Sequence, residues 1–123
     1  MNYQRPLSPH LSIYKPQLTS VLSIMHRMTG VVLYFILLLW CCLLVCLVWR
    51  PELFEQIQKF DQTLLGRIGI FSMMVCFYYH FFNGIRHLFW DIGWGYELKT
   101  AYRSGYTVLA AATLCTAINF YFL

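Results

Sequence analysis

The sequence predicts an all-α integral membrane protein with three transmembrane helices. Of its 123 residues, 59% are hydrophobic and only 11% are charged, and the mean hydropathy is +0.57. A soluble domain of this size has too little interior to remove so much apolar surface from water. The apolar runs are long and lack the period-two alternation of a membrane barrel. We therefore expect one membrane-anchor domain over residues 1–123.

The three predicted spans cover residues 21–49, 65–92 and 104–123. The first and the third contain uncharged stretches close to the roughly 20 residues that a hydrocarbon core requires of a helix. Residues 1–20 are polar, contain prolines and have no apolar core, so they are not expected to be a secretory signal. They are predicted to be a surface segment of a protein made in a bacterium or inside an organelle.

Positive charge predicts the orientation of the spans. Three spans place the N-terminal segment and the loop after the second span on one membrane face, which carries more Lys and Arg than the opposite face. The two sets are Arg5, Lys15, Arg27, Arg86, Lys99 and Arg103 against Arg50, Lys59 and Arg67. The N-terminus is therefore expected on the cytoplasmic or matrix side.

Two further features are expected to be structural. Between the first two spans, Leu53, Ile57 and Phe60 recur at helical spacing, which fits either a short helix on the outer membrane surface or a solvated loop. The five cysteines have no metal-site spacing and are expected to be packing residues inside the apolar runs; they are Cys41, Cys42, Cys46, Cys76 and Cys115.

The second span carries ionisable residues that a membrane helix normally lacks. On a helix, His80, Gly84, His87 and Asp91 fall in one stripe, with Asn83 beside it. Such side chains cost roughly 2.5–3.5 kcal/mol each at membrane depth, so they need partners. A histidine facing a gap opened by a glycine suggests a flat, bulky ligand such as haem.

His80 is the candidate iron ligand, because it lies roughly 10 Å deeper than His87. Haem bound at this depth would bury its macrocycle among groups such as Phe77 and Phe81. Its propionates would reach toward His26, Arg27 or His87 near the membrane surface. The alternative is that His80 only hydrogen-bonds a neighbouring helix.

A second polar cluster, around Ser23 and Arg27, opens the first span at the depth at which the second span ends. A serine hydroxyl can hold a quinone carbonyl, and a nearby guanidinium can stabilise the charge that develops on it. The alternatives are an N-terminal cap at Ser20 or Ser23 and an Arg27 side chain that snorkels among lipids.

The motifs resemble the cytochrome b subunit family of succinate dehydrogenase, the larger membrane anchors of respiratory complex II. They are RPLSPH at 5–10, SIMHRMTG at 23–30 and HFFNGIRHLFWD at 80–91. The resemblance implies that His80 is an axial ligand of haem b, with the second histidine supplied by a smaller anchor subunit. It also implies that Ser23 and Arg27 line the ubiquinone site, that His26 and Arg27 lie near the haem propionates, and that His87 lies at the pocket edge.

The family resemblance also implies the partners. A flavoprotein subunit and an iron–sulfur subunit would deliver electrons from succinate, and the chain would not be catalytic alone or contact nucleic acid. The implied location is the bacterial inner membrane, or the mitochondrial inner membrane for an organelle-encoded chain. Two alternatives remain from the residues themselves: a haem-free structural anchor, and a small proton channel that uses His80, His87 and Asp91 as a relay.

Overall fold

The computed structural model describes residues 15–123, which form four α-helices and no strand. The helices are α1 (Leu18–Trp49), α2 (Pro51–Asp61), α3 (Leu64–Asp91) and α4 (Leu98–Tyr121). The three long helices pack as an antiparallel bundle in which α3 contacts both α1 and α4, while the short α2 packs on α1 and α3. The predicted all-α class is therefore confirmed.

The predicted element boundaries differ from the observed ones at the polar ends. Helix α1 begins at Leu18, inside the predicted surface segment 1–20, and residues 1–14 of that segment lie outside the described residues. Helix α4 begins at Leu98 rather than at 104, because Lys99 and Arg103 interrupt the apolar run without interrupting the helix. Counting apolar residues therefore underestimates a helix that extends out of the hydrocarbon layer.

Two helices in the described part of the chain are long and apolar enough to cross a membrane. They are α1, with 32 residues, and α3, with 28 residues. The third predicted span lies within α4, which is not one of these two. The three-span topology therefore stays a prediction, whereas two of its spans coincide with candidate membrane helices.

The segment between the first two spans is a helix, so the solvated-loop alternative is wrong. Pro51 occupies the first turn of α2, where its missing N–H costs no helical hydrogen bond. Arg50 donates a hydrogen bond to Glu52, which lowers the pKa of this exposed carboxyl. The turn into α3 requires Gly66, because a Cβ there would collide with the carbonyl oxygen of Phe60.

The interior of the bundle is built on small residues of α4. The buried face of this helix consists of Ala101, Gly105, Val108, Ala112 and Thr116. A Cβ at Gly105 would lie 2.7 Å from Cδ1 of Leu22, so the glycine allows α1 and α4 to approach closely. Small residues at helix contacts are typical of membrane bundles, in which van der Waals packing replaces the hydrophobic drive. Beyond Thr29, no residue of α1 is buried within this chain.

Candidate functional site

Three histidine rings lie side by side where the start of α1 meets the second half of α3. The rings of His26 and His80 are stacked, with centroids 4.0 Å apart and planes 7° apart. The ring of His87 lies on the other side of His26, at a centroid distance of 5.1 Å. The predicted stripe on α3 therefore faces α1, and the predicted meeting of the two helix ends is confirmed.

His80 is held through one nitrogen only. Its Nδ1 lies 3.1 Å from the carbonyl oxygen of His26 and 3.3 Å from Oγ1 of Thr29. A carbonyl oxygen can only accept, so Nδ1 carries the proton and Nε2 is left with a free lone pair. Nε2 has no hydrogen-bond partner within residues 15–123. An imidazole fixed at one nitrogen and free at the other is the arrangement found in metal-bound histidines.

Thr29 and Gly30 shape the surface of α1 against which His80 lies. The Thr29 hydroxyl donates to the carbonyl oxygens of Met25 and His26, at 2.9 Å and 3.0 Å. Gly30 lies directly under the imidazole, and a Cβ added there would be 3.0 Å from Cε1 of His80. Both residues fall within the 23–30 motif, but sequence reasoning gave neither a role.

Gly84 faces His26 of α1, and the expectation that it opens a gap for a flat ligand stays a prediction. The space beside Gly84 is taken by His26, whose Cε1 would lie 3.7 Å from an added Cβ, an ordinary van der Waals contact. A helical wheel of α3 identifies the missing side chain but cannot identify the neighbour that α1 supplies.

Ser23 and Arg27 lie inside α1 and not at its N-terminus. The N-cap is Gln17, so the alternative in which Ser20 or Ser23 caps the helix is wrong. Ser23 is half-buried, Arg27 is exposed, and neither side chain hydrogen-bonds another residue of the 15–123 region. Both side chains are free to contact a further molecule, and the lipid-facing alternative for Arg27 stays open.

The aromatic residues predicted to surround a macrocycle form an open surface in this chain. Phe77 and Phe81 stack with centroids 6.2 Å apart, and both are exposed. Asp91 is also exposed and forms no ion pair with the described residues. The described residues contain no group of three or more His, Cys, Asp or Glu that could hold a metal ion, and all five cysteines are free. The His80 nitrogen is thus suited to serve as one ligand among others supplied from elsewhere.

Sequence reasoning missed a further polar cluster, which lies beside the histidine stripe on the side of α3 that faces α4. Arg86 is only 5% exposed, and its guanidinium donates to Ala101 O at 2.9 Å, Ser104 Oγ at 3.0 Å and Asn83 Oδ1 at 3.3 Å. The same group lies 4.0 Å from the centroid of the Trp90 ring. The spacing of Asn83, Arg86 and Trp90 places them on one helical face, which was the available signal.

Comparison with known proteins identifies relatives that span nearly the whole chain. Residues 1–119 match the family described as succinate dehydrogenase/fumarate reductase transmembrane subunit. The succinate dehydrogenase cytochrome b556 subunit of Rickettsia prowazekii is 41% identical over 122 residues, covering 94% of this chain and 90% of the relative. The cytochrome b560 subunit of Reclinomonas americana is 39% identical, with 96% and 85% covered, and the cytochrome b556 subunit of Paracoccus denitrificans is 35% identical, with 94% and 88% covered.

Proposed function

The chain belongs to the family of succinate dehydrogenase and fumarate reductase transmembrane subunits, and we propose that it binds one haem b together with a second, smaller anchor subunit and forms part of a ubiquinone site. Membership of this family makes the chain a membrane subunit of an enzyme complex. We further propose that its partners are the flavoprotein and iron–sulfur subunits, with the N-terminus on their side of a bacterial or mitochondrial inner membrane.

Helix α4 is proposed as the third transmembrane span. Its 24 residues extend about 36 Å, which exceeds the thickness of a hydrocarbon core. Its small buried face packs against both candidate membrane helices, and a helix so packed is expected to cross the bilayer beside them. Lys99 and Arg103 lie in its first two turns, where they would reach the headgroup layer.

The free Nε2 of His80 is the single observation that carries the haem proposal. The relatives are named cytochrome b subunits, and an imidazole with its Nδ1 proton bound to a carbonyl suits axial ligation of haem iron. The residues fit the group, because one nitrogen is available and the exposed Phe77 and Phe81 offer an apolar surface beside it. Haem held by two histidines supplies one-electron transfer, because no coordination position is left open.

The other histidines and Arg27 would hold the charged edge of the haem. His26 stacks on His80, the His87 ring lies 5.1 Å from that of His26, and Arg27 follows His26 on an exposed part of α1. Haem carries two propionates, which require cations or donors where water is scarce. These side chains are positioned on the membrane-surface side of His80, where charge is tolerated.

Ser23 and Arg27 are proposed to bind ubiquinone. They lie four residues apart on α1, so they share one helical face, and both are free of other described partners. The Ser23 hydroxyl would donate to a quinone carbonyl, and the Arg27 guanidinium would stabilise negative charge developing on that oxygen.

The haem proposal is tested by replacing His80. The His80→Ala complex should lose the reduced b-type absorption band, because the imidazole proposed to bind the iron through Nε2 is removed. The polar but exposed Ser72 on the same helix provides the control, and Ser72→Ala should retain the band. A b-type band that persists in His80→Ala complex would refute the ligand assignment. An assembled wild-type complex without any such band would favour the haem-free anchor, in which the Nδ1 hydrogen bonds of His80 are purely structural.

The quinone proposal is tested by comparing two electron acceptors. Ser23→Ala should lower quinone reduction about fivefold, as expected from one lost hydrogen bond of about 1 kcal/mol, and Arg27→Ala should lower it further. Succinate oxidation with an artificial acceptor should remain largely intact. Thr19→Ala, one turn earlier on α1, is the matched control. Equal loss of both activities in the Ser23 and Arg27 variants would indicate an assembly defect and contradict the proposed role.

A further inference from the structure

A groove of about 500 Å³ lies between the second half of α3 and the first half of α4. Its walls are mainly apolar and come from both helices, with Phe82, Ile85 and Phe89 opposite Val108 and Ala111. A volume of this size is within the range of small-molecule sites, roughly 300–1,000 Å³. None of the stacked histidines lines it, so it is separate from the His80 site.

A buried cation forms part of the groove wall. Arg86 lines the groove, is only 5% exposed and has no carboxylate partner, since the one ion pair within residues 15–123 joins Arg50 and Glu52. Residues 1–14 contain no Asp or Glu that could supply a carboxylate. Three of the five guanidinium N–H donors are used by neutral groups of the chain. A buried charge at membrane depth is costly without an opposite charge, so the groove favours an anionic ligand.

The membrane-surface end of the groove adds polar groups and further positive charge. Thr100, Ser104 and Thr107 line this end with hydroxyls, and Trp94 lies beside them. Two exposed cations, Lys99 and Arg103, belong to the same turns of α4. Tryptophan and basic residues together are typical of the headgroup layer of a bilayer.

We propose that this groove binds one anionic phospholipid, with an acyl chain along the apolar wall and the phosphate at the end formed by Thr100 and Ser104. Arg86, Arg103 and Lys99 supply the positive potential that selects an anionic over a zwitterionic headgroup. A free phosphate ion would leave the apolar wall uncovered, whereas a phospholipid would occupy both the apolar wall and the polar end of the groove. The proposal depends on the membrane placement of α4 and is independent of the haem and quinone assignments.

Native mass spectrometry of the assembled complex tests the apolar part of the groove. The complex is taken from bilayers of phosphatidylcholine containing phosphatidylglycerol, and the retained lipids are counted. Ala111→Trp places an indole in the groove and should remove one tightly held phosphatidylglycerol. Ala110→Trp, on the neighbouring exposed position of α4, should retain it. Thr107→Phe also fills this groove, and it replaces Ala111→Trp as the test variant if the Ala111 variant does not assemble.

The headgroup preference is tested by charge removal. Arg103→Gln should weaken retention of phosphatidylglycerol relative to phosphatidylcholine about fivefold, the effect of one positive charge near an anionic headgroup. Arg67→Gln, at the opposite end of α3, should have no effect. Equal retention in the Ala111 and Ala110 variants, an unchanged preference in Arg103→Gln, or loss of a partner subunit instead of a lipid would each overturn the proposal. Thiol labelling of Cys115 distinguishes a failure of the groove proposal from a failure of the proposed membrane placement of α4. If Cys115 is shielded from a water-soluble reagent while lipid retention fails, the placement of α4 stands and the groove proposal alone is overturned.

Discussion

The side of α3 that faces α1 and the side that faces α4 both carry polar groups, but they differ in the kind of group that stays available for a ligand. Toward α4, the Arg86 guanidinium is buried and donates to three neutral acceptors of the chain. Toward α1, His80 is half-buried and uses only Nδ1, so Nε2 remains available. Both sides therefore join α3 to a neighbouring helix, but the α4 side offers N–H donors, which suit an anion, whereas the α1 side offers an imidazole lone pair, which suits a metal.

This difference shows that a polar residue in a membrane helix does not by itself identify a functional site. The sequence places Asn83 and Arg86 in the same run as His80, and all three are unusual at membrane depth. The kind of nitrogen distinguishes them, because the nitrogens of Asn83 and Arg86 are donors only and cannot ligate a metal. The Nε2 lone pair of His80 is the feature that the other two residues lack.

The largest effect is expected from removing the interhelical arginine. Arg86→Leu should destabilise the α3–α4 pair by about 3 kcal/mol, because it leaves the Asn83 and Ser104 side-chain oxygens without their donor and removes one of the donors to the Ala101 carbonyl. The amount of assembled complex and its Tm in detergent measure the loss. The exposed Arg67 gives the matched control, and Arg67→Leu should change stability by less than about 0.5 kcal/mol. Similar losses in both variants would contradict the contrast between the two sides of α3.

A smaller, local effect is expected from the glycine under His80. Gly30→Ala brings a Cβ within 3.0 Å of Cε1, so the imidazole must shift by a few tenths of an ångström. Gly69→Ala on α3 is the matched control, because nothing lies within 4 Å of its added Cβ. In the control, higher helix propensity should raise the free energy of unfolding by about 0.5–1 kcal/mol, whereas in the Gly30 variant overpacking should cancel this increase in stability. We expect the b-type band to shift or weaken only in Gly30→Ala; an unchanged band there would mean that the His80 position is not set by this contact.

The sequence was sufficient for the features that depend on local pattern. Apolar length located α1 and α3, and helical periodicity placed His80, Gly84 and His87 on one side of α3. The amphipathic spacing in 51–61 fits either a helix or a loop, and only the structure, in which this segment packs on α1 and α3, shows that it is a helix.

The features that depend on contacts between helices could not be predicted from the amino-acid sequence alone. His26 fills the space beside Gly84, and Gly30 receives the His80 ring, because α1 crosses α3 at one particular register. The role of Arg86 likewise depends on Ala101 and Ser104, which lie on a different helix. Pattern rules identify which side of a helix is unusual, but the partner on the next helix decides whether that side is bonded or available.

The smallest effect is expected from the Thr29 hydroxyl, which shares the Nδ1 proton of His80 with the His26 carbonyl. Thr29→Val preserves the shape and removes this acceptor, at a cost of about 1 kcal/mol. An acceptor at Nδ1–H makes the opposite nitrogen a stronger donor to iron and favours the oxidised state, so its loss should raise the haem potential by at most about 40 mV. Thr113→Val removes an exposed hydroxyl that bonds only the Leu109 carbonyl, and it should leave the potential unchanged in a redox titration. An equal shift in both variants, or a potential unaffected by Thr29→Val, would contradict a direct influence of this hydroxyl on His80. The remaining bond to the His26 carbonyl keeps the imidazole oriented in the variant, so the potential can change without loss of the haem.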